Sequence, residues 1–101
     1  MYIYNVTIKL QWEIHDDWVK WMQEKHLNDV MATECFKKYQ FVKLLEIDET
    51  EGPTYAIQYY CDSKALYNKY LEIHAPQLRK DGLDLFGDKM IGFRSLMQIV
   101  H

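Results

Sequence analysis

Residues 2–12 alternate without a break. Tyr2, Tyr4, Val6, Ile8, Leu10 and Trp12 fall on one side, while Asn5, Thr7, Lys9 and Gln11 fall on the other with Ile3 as its single apolar member. A period of two sustained over eleven residues predicts a long strand with one buried face. Such a strand cannot stand alone: its apolar side needs neighbouring strands and a second layer laid over it. The rest of the chain has to supply both.

From Ile14 the period lengthens. Ile14, Trp18, Trp21, Met22 and Lys25 share one side of a helix, and Asp16 and Asp17 suit its positive end. Past His26 the stripe fails, because Asp29 would sit at its centre. The pattern therefore predicts a kink near His26 and a second short helical turn carrying Leu27, Val30 and Met31. Residues 36–47 return to strand character with apolar residues on both faces, Phe41, Leu45 and Ile47 against Val42 and Leu44. After a turn from Asp48 to Pro53, Thr54 to Cys61 alternates again with Tyr55, Ile57, Tyr59 and Cys61 together. Asp62 or Ser63 offers an N-cap to a helix carrying Leu66, Tyr67, Tyr70, Leu71 and His74. Pro76 forces a bend or restart after Ala75, and Leu78, Gly82, Leu85 and Phe86 carry the helix on to Gly87 and Asp88. A last strand runs from Met90 to Val100, with Ile91, Phe93, Met97 and Ile99 on one side and Gly92, Arg94 and Leu96 on the other.

The order β-α-β-β-α-β is the ferredoxin-like arrangement: α+β, a four-stranded antiparallel sheet with two kinked helices on one face, here as a single domain over residues 1–101. A faint internal repeat agrees with it. Trp18-x-x-Trp21 is echoed by Tyr67-x-x-Tyr70, and Glu24-x-His26 by Glu72-x-His74. The second sheet face is mixed rather than polar, with Ile3, Val42, Leu44, Tyr60 and Leu96 placed there by parity. An apolar patch of that kind on a small domain marks an interface, and 15% aromatic residues exceed what one small core absorbs. A homodimer through the open sheet face is the economical solution.

Charge narrows the partners. The net charge is −3, and four of the 15 acidic residues lie within Glu46–Glu51, so the acidity is largely one loop whose spacing does not match a calcium loop. Basic residues are scattered, with no stripe to neutralise phosphates, which argues against nucleic acid. No apolar run approaches the roughly 20 residues of a membrane span, and the start has no basic region leading into an apolar stretch. Cys35 and Cys61 form neither a CxxC pair nor a zinc spacing, and two lone thiols without a secretion signal suggest a reducing cytoplasm. Nucleophile motifs and glycine-rich phosphate loops are missing. No cofactor and no metal are implied.

The candidate site residues are Trp18, Met22, His26, His74 and Arg94. His26 either caps the negative end of the first helix, charged and stabilising on the acid side, or turns inward as a general base. His74 occupies the matching place in the second helix, while His15 reads as surface polar. Trp18 and Trp21 are core residues or an aromatic wall for a flat ligand, with Met22 on the same stripe. Arg94 and Arg79 are the only arginines, and Arg94 could grip a carboxylate in bidentate fashion.

The stretches MYIYNVT, IHDDWVKWM, EKH, VMAT, APQLRKDG and GDKMIGFR resemble a bacterial family of unknown function whose members belong to the dimeric α/β-barrel group of ferredoxin-like proteins. The resemblance covers nearly the whole chain and implies a fold and a homodimer but no activity. It leads one to expect Pro at Asn28 and Gly at Glu34, so the helix restart and the turn before Phe36 are less sharply set here. Relatives in the wider group include cofactor-independent monooxygenases, isomerases and haem-binding proteins, a spread through which fold transfers poorly to function. The expected function is a small-molecule-binding or interaction module with a cleft between helices and sheet, taking a small aromatic or carboxylate ligand. The alternative is a cofactor-independent oxygenase or isomerase with His26 as base and Arg94 as anion anchor.

Overall fold

The computed structural model describes residues 1–101. Its strands are β1 (Tyr2–Leu10), β2 (Lys38–Lys43), β3 (Thr54–Cys61) and β4 (Met90–Gln98), joined in one antiparallel sheet of order β2-β3-β1-β4. Between β1 and β2 run α1 (His15–Trp21), a π turn (Met22–His26) and α2 (Leu27–Ala32). Between β3 and β4 run α3 (Lys64–Lys69), a second π turn (Tyr70–His74) and α4 (Ala75–Phe86). This is the expected ferredoxin-like topology, with both helical stretches over one sheet face. The layers meet in a core that includes Tyr4, Val6, Leu10, Ile57, Tyr59 and Cys61 from the sheet and Trp18, Met22, Leu27, Val30, Tyr70 and Phe86 from the helices.

The first strand ends two residues earlier than its alternation suggests. Gln11 and Trp12 leave the sheet into a 3-10 turn (Trp12–Ile14), and Trp12 is exposed. Its indole Nε1 donates to the Glu49 carbonyl at 2.8 Å and its backbone N–H to the Glu51 carbonyl at 3.1 Å. The aromatic ring thus holds the acidic loop against the end of β1. Gly52 is required there: a Cβ at that position would lie 1.7 Å from the Leu10 carbonyl oxygen.

β2 is shorter than expected as well. It stops at Lys43, and Leu45 and Ile47 are exposed loop residues beside Glu46, whose φ of 59° breaks the extended run. Ser63 caps α3, accepting from the Leu66 N–H at 3.2 Å, and α4 stops at Gly87, φ 56°.

Register corrects one side-chain assignment. Tyr4 lies opposite Leu96, Val6 opposite Arg94 and Ile8 opposite Gly92. Cross-strand partners share a face, so Leu96 belongs to the helix side together with Gly92 and Arg94. The open side of β4 instead carries Ile91, Phe93 and Met97, and Ile91 and Phe93 are 57% and 65% exposed.

Each of the two expected helix irregularities is a π turn. In an uninterrupted α-helix, Leu27 would lie about 180° around from Trp18, yet both are buried. Widening one turn, with the Leu27 N–H donating to the Met22 carbonyl, brings Leu27 and Val30 back to the core side. The second π turn has the same form, the Ala75 N–H donating to the Tyr70 carbonyl. There Pro76, without an N–H, leaves the Glu72 carbonyl free of its usual partner. In the first half Asn28 takes the place of the expected proline, and its side chain donates to the Glu24 carbonyl at 3.3 Å.

Candidate functional site

A cavity of about 280 Å³ lies between the even-numbered face of β1 and the two helical stretches. The sheet supplies Tyr4, Val6 and Ile8 from β1, Ile57 and Tyr59 from β3, and Met90, Gly92 and Arg94 from β4. The first helical stretch supplies Trp18, Trp21, Met22 and His26. The second supplies Tyr70, Leu78, Arg79, Gly82 and Leu83. Twelve of the 17 lining residues are hydrophobic, so the interior suits an apolar body with polar groups at set points. Each π turn opens on the cavity with its first residue, Met22 in one half and Tyr70 in the other.

Four of the expected residues meet there: Trp18, Met22, His26 and Arg94. His74 does not line it, and its ring packs near that of Tyr70 at 6.4 Å between centroids. Trp21, expected beside Trp18 as core or aromatic wall, lines it too, and Tyr4, Tyr70, Arg79 and Gly82 enter the wall without having been named as candidate site residues. A signal existed for Arg79: at helical spacing it shares a side with Gly82 and Phe86, a lone cation on a buried stripe. His15 also departs from expectation. It is largely covered and bridges Asp16 Oδ1 at 2.9 Å and the Tyr55 hydroxyl at 2.8 Å, tying the start of α1 to β3.

His26 closes the first π turn with its ring stacked on Trp21, 4.5 Å between centroids and 25° between planes. Its Nδ1 is buried without a hydrogen-bond partner, as are the indole Nε1 atoms of Trp18 and Trp21. Burial lowers the His26 pKa from 6.5 to about 4, and the Asp29 and Asp81 carboxylates offset that only in part. The imidazole is therefore neutral near pH 7. A charged cap at a helix end is excluded, since the backbone stays helical through Leu27 and the ring faces indole rather than free carbonyls.

Two cations also line the cavity, Arg79 and Arg94. Arg79 Nη2 donates to the Tyr4 hydroxyl at 3.1 Å. Burial raises the Tyr70 phenol, and the guanidinium groups of Arg79 and Arg94 offset that in part. At the His26 end, Gly82 lets α4 come close to its neighbours. A Cβ there would lie 3.2 Å from Met90 Cε and 3.3 Å from Trp21 Cη2. No group of three His, Cys, Asp or Glu side chains is arranged to hold a metal ion, and no helix is long and apolar enough to cross a membrane.

The fold is shared with several solved structures. A dimeric ferredoxin-like protein from an uncultured marine organism is 16% identical over 100% of this chain and 96% of its own, with a TM-score of 0.73. An ethyl tert-butyl ether d (ethd) family protein from Bacillus halodurans is 12% identical over 99% and 100%, TM-score 0.69. A variant of SnoaB, a cofactor-independent oxygenase from Streptomyces nogalater, is 9% identical over 99% and 94%, TM-score 0.64. At these identities the likeness is one of fold. No protein of curated function matches the chain in sequence. Residues 1–100, which hold every element and every cavity-lining residue described above, match the family Domain of unknown function (DUF4286), and the chain belongs to it.

Proposed function

We propose that this chain is a one-domain binding module, homodimeric through its open sheet face, that holds a small and largely apolar molecule in the cavity between helices and sheet. The observation that carries this reading is the wall itself. Trp18, Trp21, Met22 and Tyr70 converge from two helical stretches, each widened by a π turn where it meets the cavity, and such turns collect at functional sites. An enzyme using His26 as base fits less well. A histidine held near 4 is free to accept a proton at neutral pH but has little proton affinity to offer a carbon acid. Its buried, unpartnered Nδ1 also lacks the carboxylate or carbonyl that orients a catalytic imidazole.

Dimerisation is supported by Ile91, Phe93 and Met97, which stand exposed on the open face of β4, and by solved neighbours described as dimeric.

The test of the cavity uses a neutral aromatic probe, 1-naphthamide, followed by tryptophan fluorescence and calorimetry. Saturable binding is expected. Gly82→Ala should weaken it several-fold while leaving the fold nearly as stable. The added methyl presses on the movable end of Met90 and on the edge of Trp21, and the preference of a helix for alanine over glycine, about 1 kcal/mol, offsets that crowding. Binding unaffected by Gly82→Ala, or absent in the parent protein, would remove the cavity as the site.

A further inference from the structure

We infer that the outer end of the cavity is a carboxylate-reading site built from Arg79, Arg94 and Tyr4, so that the ligand is a small aromatic monocarboxylate. The inference rests on the cavity reading above and adds the ligand's chemical class. The chain has two arginines, on elements far apart in sequence, and both line this one cavity from facing walls, α4 and β4. The ion pairs of the molecule are made by lysines and His15, and neither guanidinium takes part in one. Both side chains are exposed and neither has a protein carboxylate beside it, so both remain open to an anion that enters the cavity.

Both side chains line the cavity on the helix side of the sheet. Arg79 Nη2 is held by the Tyr4 hydroxyl at 3.1 Å. Arg94 Nη1 lies 4.0 Å from where a Cβ on Gly92 would stand, so its guanidinium folds back over the bare glycine, on the helix side of the sheet. A planar fork matches a planar carboxylate. A phosphate would call for further donors, and the wall holds no lysine, serine, threonine or glycine-rich loop to supply them. Beyond the arginines the wall turns aromatic at Tyr70, Trp18 and Trp21, which suits a ring attached to the carboxylate.

The experiment compares 1-naphthoate with its neutral isostere 1-naphthamide by calorimetry at pH 7. The parent protein should bind 1-naphthoate roughly ten- to hundredfold more tightly. Arg94→Gln and Arg79→Gln should each remove roughly tenfold or more of the 1-naphthoate affinity and leave 1-naphthamide within about twofold. Arg94→Lys should recover only part, because it keeps the charge without the fork. Arg94 lies on an exposed edge strand, so its variants test the inference even if Arg79→Gln, which loses the Tyr4 contact, folds poorly.

Equal affinity for the two probes in the parent protein overturns the carboxylate assignment and leaves the cavity standing. Arginine variants that weaken both probes alike make the guanidiniums structural and overturn it too. Tighter binding of 1-naphthyl phosphate than of 1-naphthoate would assign the site to phosphates instead. Binding of neither naphthalene probe removes the inference and the cavity reading together.

Discussion

His26 concentrates the chemistry of this molecule in one side chain. Its pKa is about 4 in the folded chain against 6.5 when exposed, so between those values the unfolded state binds the proton and the folded state does not. The stabilisation from a neutral, stacked imidazole is complete above pH 6.5 and is lost as pH falls toward 4. His26→Phe keeps a ring on Trp21 but cannot titrate. Denaturant unfolding at pH 8 and pH 5.5 should show the parent protein losing about 1 kcal/mol more than the variant across that interval. A variant that loses more than the parent on the acid side would restore the capping role. The groups facing the ring, Lys25 and Asp29 on its own helix and Asp81 on α4, are the ones that can moderate the effect. Position 34 shows another constraint felt by a single residue. Glu34 adopts φ 62°, the left-handed backbone that glycine enters freely, at the position where family resemblance leads one to expect glycine.

At the scale of elements, the π turns serve both the core and the cavity. They occupy matching places, each ending in a histidine within a Glu-x-His repeat separated by 48 residues. Proline accounts for the second but not for the first, where Asn28 has an N–H of its own. What the turns share is a cavity-lining first residue. Deleting Glu24, which is exposed within the first π turn, should let the stretch close into an α-helix with Trp18, Met22, Leu27 and Val30 still on one side. Thermal stability should change little, while the His26–Trp21 stack and 1-naphthamide binding are lost. A variant that binds as before would show that the widened turn has no part in the site. The failure of the helical stripe at Asp29 was legible in the sequence. Its remedy was not, because a bend and a widened turn produce the same break in periodicity and differ only in which backbone carbonyl meets which N–H.

For the whole molecule the proposed assembly is a dimer paired through the open sheet face. Light scattering at micromolar concentration should give about twice the 12.2 kDa of one chain. Phe93→Asp should return that mass to the monomer without unfolding it, since Phe93 is 65% exposed in the protomer and its carboxylate would be buried only on pairing. A monomeric parent protein, or a variant still dimeric, would move the interface elsewhere. Leu96, placed on this face by sequence parity, would have been a misleading target. It lies opposite Tyr4 on the helix side, and a charge there would strike the protomer instead.

Element type and order follow from the sequence by itself, because hydrophobic period is a local property: two in β1 and β3, longer between them, and turn residues where the period changes. The same pattern marked Trp18 and Met22 as one inward stripe, but left His26 on its flank with a capping and an inward-facing role both open. Tertiary structure alone decided which face β4 presents, since alternation separates the faces of a strand and only its register against β1 says which of them is covered. It also decided the site. Arg79 and Arg94 stand 15 residues apart on a helix and a strand of different periods, and their meeting across one cavity depends on how α4 is laid over β1 and β4, a distance that no local pattern encodes.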